Sequence, residues 1–254
     1  MTPVDAVGFD LFNTLITVEK DALIDAVQRL LETLNRNGLS VEPERFIQDH
    51  RDAAMRFLEK TKEDGRETHN RFWIQAALAA QEITLSPDDR IIGEAVEAYF
   101  SAFLDHVSVI PGTHRMLERV GNRFRLGLLS NFTHAPAARA ILEVTGLAPC
   151  FGVCAISGDI GFRKPHARAF QALVSGLGVS EDRILYVGDD PEPDVEGALR
   201  NGLRPVWSTY VQDHEMAFAP GYAGTAPGRP GEAIPRISEW PDLIALLQDE
   251  HGMV

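Results

Sequence analysis

Apolar and polar positions divide the chain into two regimes. A compact apolar run from Val4 to Phe9 ends on Asp10 and breaks at once into the turn residues Asn13 and Thr14. A buried parallel strand delivers a carboxylate to the carboxyl edge of an open sheet in this way, and that edge is where such folds bind ligands. Helical spacing then takes over. Leu23, Ile24, Val27, Leu30, Leu31 and Leu34 recur at intervals of three and four and stop at Asn37-Gly38. Glu42-Pro43-Glu44 opens a second helix with Phe46, Ile47, Met55, Phe57 and Leu58, and a third is expected over 67–83. Ser86-Pro87-Asp88-Asp89 caps a fourth, striped by Ile91, Ile92, Val96, Tyr99, Phe100 and Phe103. These stripes read as core and carry no chemistry of their own.

From Ile110 the pattern alternates. Helix 113–122, strand 124–129, helix 135–145, strand 151–156, helix 166–176, strand 184–187, helix 195–201 and strand 205–207 follow in turn. A strand near 233–237 and a helix near 240–248 close the chain, after a Gly-, Pro- and Ala-rich stretch at 211–231 read as a surface loop. This predicts an α/β fold: a doubly wound, Rossmann-like parallel sheet with an inserted bundle of helices. The core is assigned to residues 1–16 and 108–254 and the helical cap to 17–107.

The 254 residues suit such a core with one insertion, and a formal charge of −13 opposes general binding to nucleic acid or an anionic membrane. No apolar run approaches a membrane span and no basic-then-apolar leader opens the chain, so a cytoplasmic protein is expected. Cys150 and Cys154 lack the companions of a zinc site and read as reduced core thiols.

Four strand ends then supply Asp10; Ser130 with Asn131; Lys164; and Asp189, Asp190 and Asp194. In a doubly wound sheet these ends converge. The set suits attack by Asp10 on phosphorus, Ser130 and the Asn131 amide holding phosphoryl oxygens, and Lys164 neutralising developing charge. A cation held at Asp189 would reduce repulsion between nucleophile and substrate, and Mg²⁺ fits a set of hard oxygen ligands. Thr14 reads as a loop brace, Asp190 and Asp194 as supports or N-caps, Arg163 and Lys20 as solvated charges, and His134 as a surface histidine.

Asp10-Leu11-Phe12-Asn13-Thr14-Leu15, Leu129-Ser130-Asn131, Arg163-Lys164-Pro165 and Gly188-Asp189 with Asp194 resemble, in order, the four motifs of the haloacid dehalogenase superfamily. The resemblance implies a core with five central parallel strands and Mg²⁺ bound by Asp10, the Phe12 carbonyl and Asp189. It implies a small phosphorylated substrate and an aspartyl-phosphate intermediate. One position departs: phosphatases of the superfamily carry a second Asp, the proton donor to the leaving oxygen, where Phe12 stands. Good leaving groups are therefore expected to be favoured. The same departure keeps two alternatives open, a 2-haloacid dehalogenase, which needs no metal, and a phospholigand-binding protein without turnover.

Overall fold

The computed structural model describes residues 3–219, 230–231 and 233–249. Strand β1 (Ala6–Phe9) leads through the Asp10–Leu15 turn to a short strand, β2 (Ile16–Val18). Four helices follow: α1 (Ala22–Arg36), α2 (Pro43–Asp64), α3 (Asn70–Ala80) and α4 (Arg90–His106). The chain returns through β3 (Val107–Val109), which pairs antiparallel with β2 in the register Ile16–Val109 to Val18–Val107. The helical insertion is thus attached by two adjacent threads.

The alternating half comprises α5 (Thr113–Gly121), β4 (Arg125–Ser130), α6 (Ala135–Val144), β5 (Val153–Ile156), a one-turn α7 (Ser157–Ile160), α8 (Ala167–Leu177) and β6 (Ile184–Gly188). It ends with α9 (Gly197–Arg200), β7 (Arg204–Ser208), α10 (Tyr210–Asp213), β8 (Arg236–Ile237) and α11 (Trp240–Asp249). Among the described residues the main sheet has six strands in the order β5-β4-β1-β6-β7-β8, every pairing parallel. Beyond the five central strands expected, β8 adds a short edge.

β1 is apolar at every position because it pairs on both sides and is covered on both faces. Val7 and Phe9 enter one core layer and Ala6 the other. Local chemistry sets the helix ends. The Glu42 carboxylate accepts the Glu44 and Arg45 amides at the start of α2, and Asp89 accepts the Ile91 amide at the start of α4.

Several expectations need correction. Not all of the apolar stripes are core: Leu23, Ile24, Ile47 and Met55 are exposed, while Ala22, Ala26, Leu30 and Leu34 carry the packing of α1 along α4. The third helix starts at Asn70, because His69 caps it and 65–67 are bonded to the Gly161–Arg163 loop of the core. The expected helix over 195–201 begins with a wider π-type turn over Pro191–Glu196; Pro191 and Pro193 lack the amides that a tighter first turn would use. The 157–165 loop contains α7, and the 211–231 stretch opens inside α10, with 220–229 lying outside the described residues. Cys150 is half-buried and Cys154 exposed, the latter on the edge strand β5, so neither is a core thiol.

Candidate active site

The sheet register brings the motifs together. Phe9 lies opposite Leu128 of β4 and Val187 of β6. Asp10 therefore emerges between Leu129 and Gly188, with Ser130 one residue further on one side and Asp189 on the other. β1 places the nucleophile candidate at the centre because β4 and β6 flank it.

Lys164 closes the group from the loop before α8. Its Nζ lies 2.5 Å from Asp10 Oδ1, 2.6 Å from Asp194 Oδ1 and 3.1 Å from the Tyr186 hydroxyl. The Lys164 backbone is fixed from the opposite side: its amide donates to Asn131 Oδ1 at 2.8 Å, and its carbonyl accepts from Asn131 Nδ2 at 3.1 Å. The Asn131 side chain thus ties the loop after β4 to the loop bearing Lys164. Ser130 is fully buried and its Oγ has no hydrogen-bond partner.

Asp194 sits over the end of β6. A Cβ on Gly188 would come within 2.4 Å of its carboxyl carbon, so only glycine permits this approach. Asp194 Oδ2 accepts the Asp190 amide at 3.0 Å while Oδ1 takes Lys164. Asp190 acts as the N-cap of the turn that follows, accepting from the Glu192 amide. Thr14 Oγ1 donates to Asp189 Oδ1 at 3.5 Å, and Trp207 Nε1 donates to the Asp189 carbonyl at 2.9 Å. Asp189 Oδ2 is covered and has no hydrogen-bond partner.

Burial dominates the electrostatics. It pushes the Asp10 carboxyl up to about 7, with the neighbouring Lys164 ammonium pulling the other way. Burial raises Asp189 well above the usual carboxylate range, and the charges of Asp10 and Asp194 add to it. Asp190 rises to about 6, again through burial first. Burial alone would lower Lys164, but the Asp10 and Asp194 carboxylates overcome that and hold it firmly protonated. The acids around the single Lys164 ammonium are thereby biased toward their neutral forms.

Single ligand atoms from Asp10, Asp189 and Asp194 all lie within 4.8 Å of one another. Oxygen donors only, their close approach and an unpartnered Asp189 Oδ2 fit a hard divalent cation. The Phe12 ring stacks on Phe132 at 5.1 Å between centroids. Phe132 in turn meets Phe100 and Phe103 of α4, an apolar wall joining the helical insertion to the loop after β4.

His134 is buried on that wall, not at the surface. Its Nε2 lies 3.0 Å from Glu97 Oε1 of α4 and its Nδ1 lies 3.1 Å from His69 Nε2. His69 Nδ1 accepts the Arg71 amide, which leaves the proton of a neutral His69 on Nε2, aimed at His134. Burial lowers both histidines, His69 to about 4. Arg163, expected in solvent, pairs instead with a covered Glu67 at 3.5 Å. Lys20 is exposed, as expected.

Tyr186 was missed from the sequence. The one signal available is a phenol inside the otherwise aliphatic run Ile184-Leu185-Tyr186-Val187, two residues before Gly188. Its hydroxyl lies 3.2 Å from both the Leu129 carbonyl and Asp194 Oδ1 while taking Lys164. Asn13 was missed as well; it adopts φ +60° and its Oδ1 accepts the Ala219 amide at 2.7 Å.

The family model of haloacid dehalogenase-like hydrolases matches residues 4–202. The chain belongs to this family of hydrolases. It is 24% identical over 254 residues to the glyceraldehyde 3-phosphate phosphatase of Pyrococcus furiosus, covering 99% of this chain and 96% of that one. In fold it is similar to a 2-haloacid dehalogenase from Pseudomonas syringae (TM-score 0.70, 20% identity, 97% and 99% of the two chains). It is similar also to the HAD-hydrolase YfnB of Bacillus subtilis in a magnesium-bound form described as revealing interdomain movement (TM-score 0.60, 18% identity, 97% and 99%). Among the described residues no helix is long and apolar enough to cross a membrane.

Proposed function

We propose that this hydrolase is a Mg²⁺-dependent phosphatase of a small phosphorylated metabolite, with residues 17–107 forming a cap over a core of 1–16 and 108–254. The observation that carries the reading is the cluster of Asp10, Asp189 and Asp194 with a covered, unpartnered Asp189 Oδ2. A buried carboxylate oxygen without a partner costs about 1–3 kcal/mol, which a bound cation would relieve. A phosphatase among its relatives over nearly the full length supports the substrate class.

Asp10 and Asp189 would hold the cation, with the Phe12 carbonyl completing the protein ligands and Asp194 and Asp190 supporting them. When bound, Mg²⁺ supplies positive charge that lets an anionic nucleophile approach an anionic phosphoryl group. An Asp10 oxygen attacks phosphorus and the bond from phosphorus to the leaving oxygen breaks, giving an acyl phosphate on Asp10. Water then cleaves that phosphate and restores the carboxylate. Lys164, locked between Asp10, Asp194 and Tyr186, balances charge on the phosphoryl oxygens, and the free Ser130 Oγ with the Asn131 amide receives them.

Phe12 offers no proton to the departing oxygen. Alkoxides should therefore leave slowly and good leaving groups quickly. The same residue favours the dehalogenase reading, since carbon–halogen cleavage needs no proton donor, and the fold likeness to a 2-haloacid dehalogenase is compatible with it. A panel of p-nitrophenyl phosphate, acetyl phosphate, sugar phosphates and 2-chloropropionate, assayed for phosphate and halide with Mg²⁺ or chelator, separates the readings. Expected is Mg²⁺-dependent phosphate release, fastest from the first two substrates. Chelator-resistant halide release would replace this reading with dehalogenation, and tight phosphate binding without turnover would replace it with a binding role.

A further inference from the structure

The extended segment between α2 and α3 carries a second device. α2 ends at Gly65, whose φ of +69° turns the chain onto the core. Residues 65–67 then run beside the loop that ends in Lys164. The Arg163 amide donates to the Gly65 carbonyl at 3.0 Å, the Glu67 amide donates to the Gly161 carbonyl at 3.0 Å, and Arg66 bridges antiparallel to Phe162. Arg66 and Arg168 also place their guanidinium groups over the Phe162 ring.

The Glu67 side chain points inward from this strap and is only 3% exposed. Ser157 Oγ, fully buried at the start of α7, donates to Glu67 Oε2 at 2.5 Å. The same Oγ accepts the Phe132 amide at 2.8 Å. The hydroxyl has a second acceptor in the Phe132 carbonyl at 3.3 Å. The shorter bond to the Glu67 carboxylate draws its proton there, however, and leaves lone pairs for the Phe132 amide. The carboxylate of the helical insertion thus orients a hydroxyl that joins the Gly158 amide in anchoring the loop after Ser130. The other carboxyl oxygen faces the Arg163 guanidinium, one residue before Lys164. Asn131 joins the two loops through its paired bonds with the Lys164 backbone.

We infer that Glu67 is a positioning residue of the phosphatase proposed above: on cap closure it fixes, through Ser157 and Arg163, the loops that hold Ser130, Asn131 and Lys164. Glu67 touches none of the reacting atoms. With the strap lifted, Ser157 has no charged acceptor, Arg163 has lost this carboxylate, and both loops relax. Catalytic geometry is then complete only when the cap is down.

The test compares Glu67→Ala, Glu67→Gln, Ser157→Ala and the Ala/Ala double variant as full chains, with p-nitrophenyl phosphate and Mg²⁺. A displacement of about 1 Å in such loops costs on the order of 10²-fold in rate. Glu67→Ala should accordingly lower kcat by at least about 10-fold while KM moves little. Glu67→Gln keeps an oxygen for the Ser157 proton and should recover most of the loss. Ser157→Ala keeps the Arg163 contact and should lose no more than Glu67→Ala, and the double variant should fall no further than Glu67→Ala. Unchanged kcat in Glu67→Ala, a loss confined to KM, or effects that multiply in the double variant would overturn the inference. Amide hydrogen exchange over residues 130–134 gives an arm independent of turnover. Faster exchange in Glu67→Ala than in wild type is expected, and equal exchange overturns the positioning role. A wild type that binds phosphate but turns over no substrate would instead sink the phosphatase reading and leave this arm decisive.

Discussion

Two residues decide how the site behaves. Phe12 stands where the motif resemblance leads one to expect a second Asp, and its ring stacks on Phe132. Phe12→Asp should raise turnover of alkyl phosphates relative to p-nitrophenyl phosphate by about 10²-fold, the usual contribution of a placed general acid. Comparing kcat/KM for the two substrates in variant and wild type measures it, and no change in that ratio would mean the missing proton is not limiting. Asp189 sets a different balance. With its folded-state pKa raised by burial, it holds a proton where the unfolded chain has lost it, so its contribution to stability falls as pH climbs above the ordinary carboxylate value. Asp10 behaves likewise up to about 7. Asp189→Asn should therefore raise the Tm of the metal-free protein, more at about pH 7 than at about pH 3, where folded and unfolded chains both hold the proton. It should also abolish the Mg²⁺-dependent rise in Tm, which in wild type shrinks at the lower pH because the ligands must shed protons to bind. Calorimetry with and without Mg²⁺ checks both signs.

At the scale of elements, the sequence announced most of what holds the site. The run into Asp10, the Ser130-Asn131 pair, Lys164 before Pro165 and the acids after β6 were readable because each follows a strand whose apolar pattern is clear. What stayed hidden depends on pairing across the chain. Tyr186 looks like one more core residue until Lys164 is seen against it. Glu67 reads as a helical position because its neighbours continue a polar pattern, and only the capping of α3 by His69 shows that the helix starts later. His134 is buried only because α4 lies on it, a fact with no local signature. Leu23 and Ile24 mislead in the opposite direction: the spacing fits a helix, but α4 is met by the face bearing Ala22, Ala26 and Leu30. The end of α2 is a further case of element geometry. Gly65 combines positive φ with a close approach in which a Cβ would lie 2.5 Å from the His166 ring. Gly65→Ala should cost at least about 1–2 kcal/mol from the left-handed backbone alone, lowering Tm by roughly 2–4 °C per kcal/mol. A melting curve as stable as wild type would contradict this.

Over the whole molecule, two kinds of contact unite the helical insertion with the sheet. An aromatic wall runs from Phe12 through Phe132 to Phe100 and Phe103, and a polar strap runs from Gly65 to His69. Asp10, Ser130, Lys164 and Asp194 are all buried beneath them. Chemistry in a covered site gains from the exclusion of water, whereas entry of substrate and exit of phosphate require uncovering. The attachment through β2 and β3 adds something more. Because the chain departs and returns along two neighbouring three-residue strands, a segment of another sequence can be joined between Val18 and Val107 with the entry and exit points kept. Such a graft would have to supply its own carboxylate for Ser157 and Arg163 and its own aromatic partners for Phe132 before the loops bearing Asn131 and Lys164 kept their places.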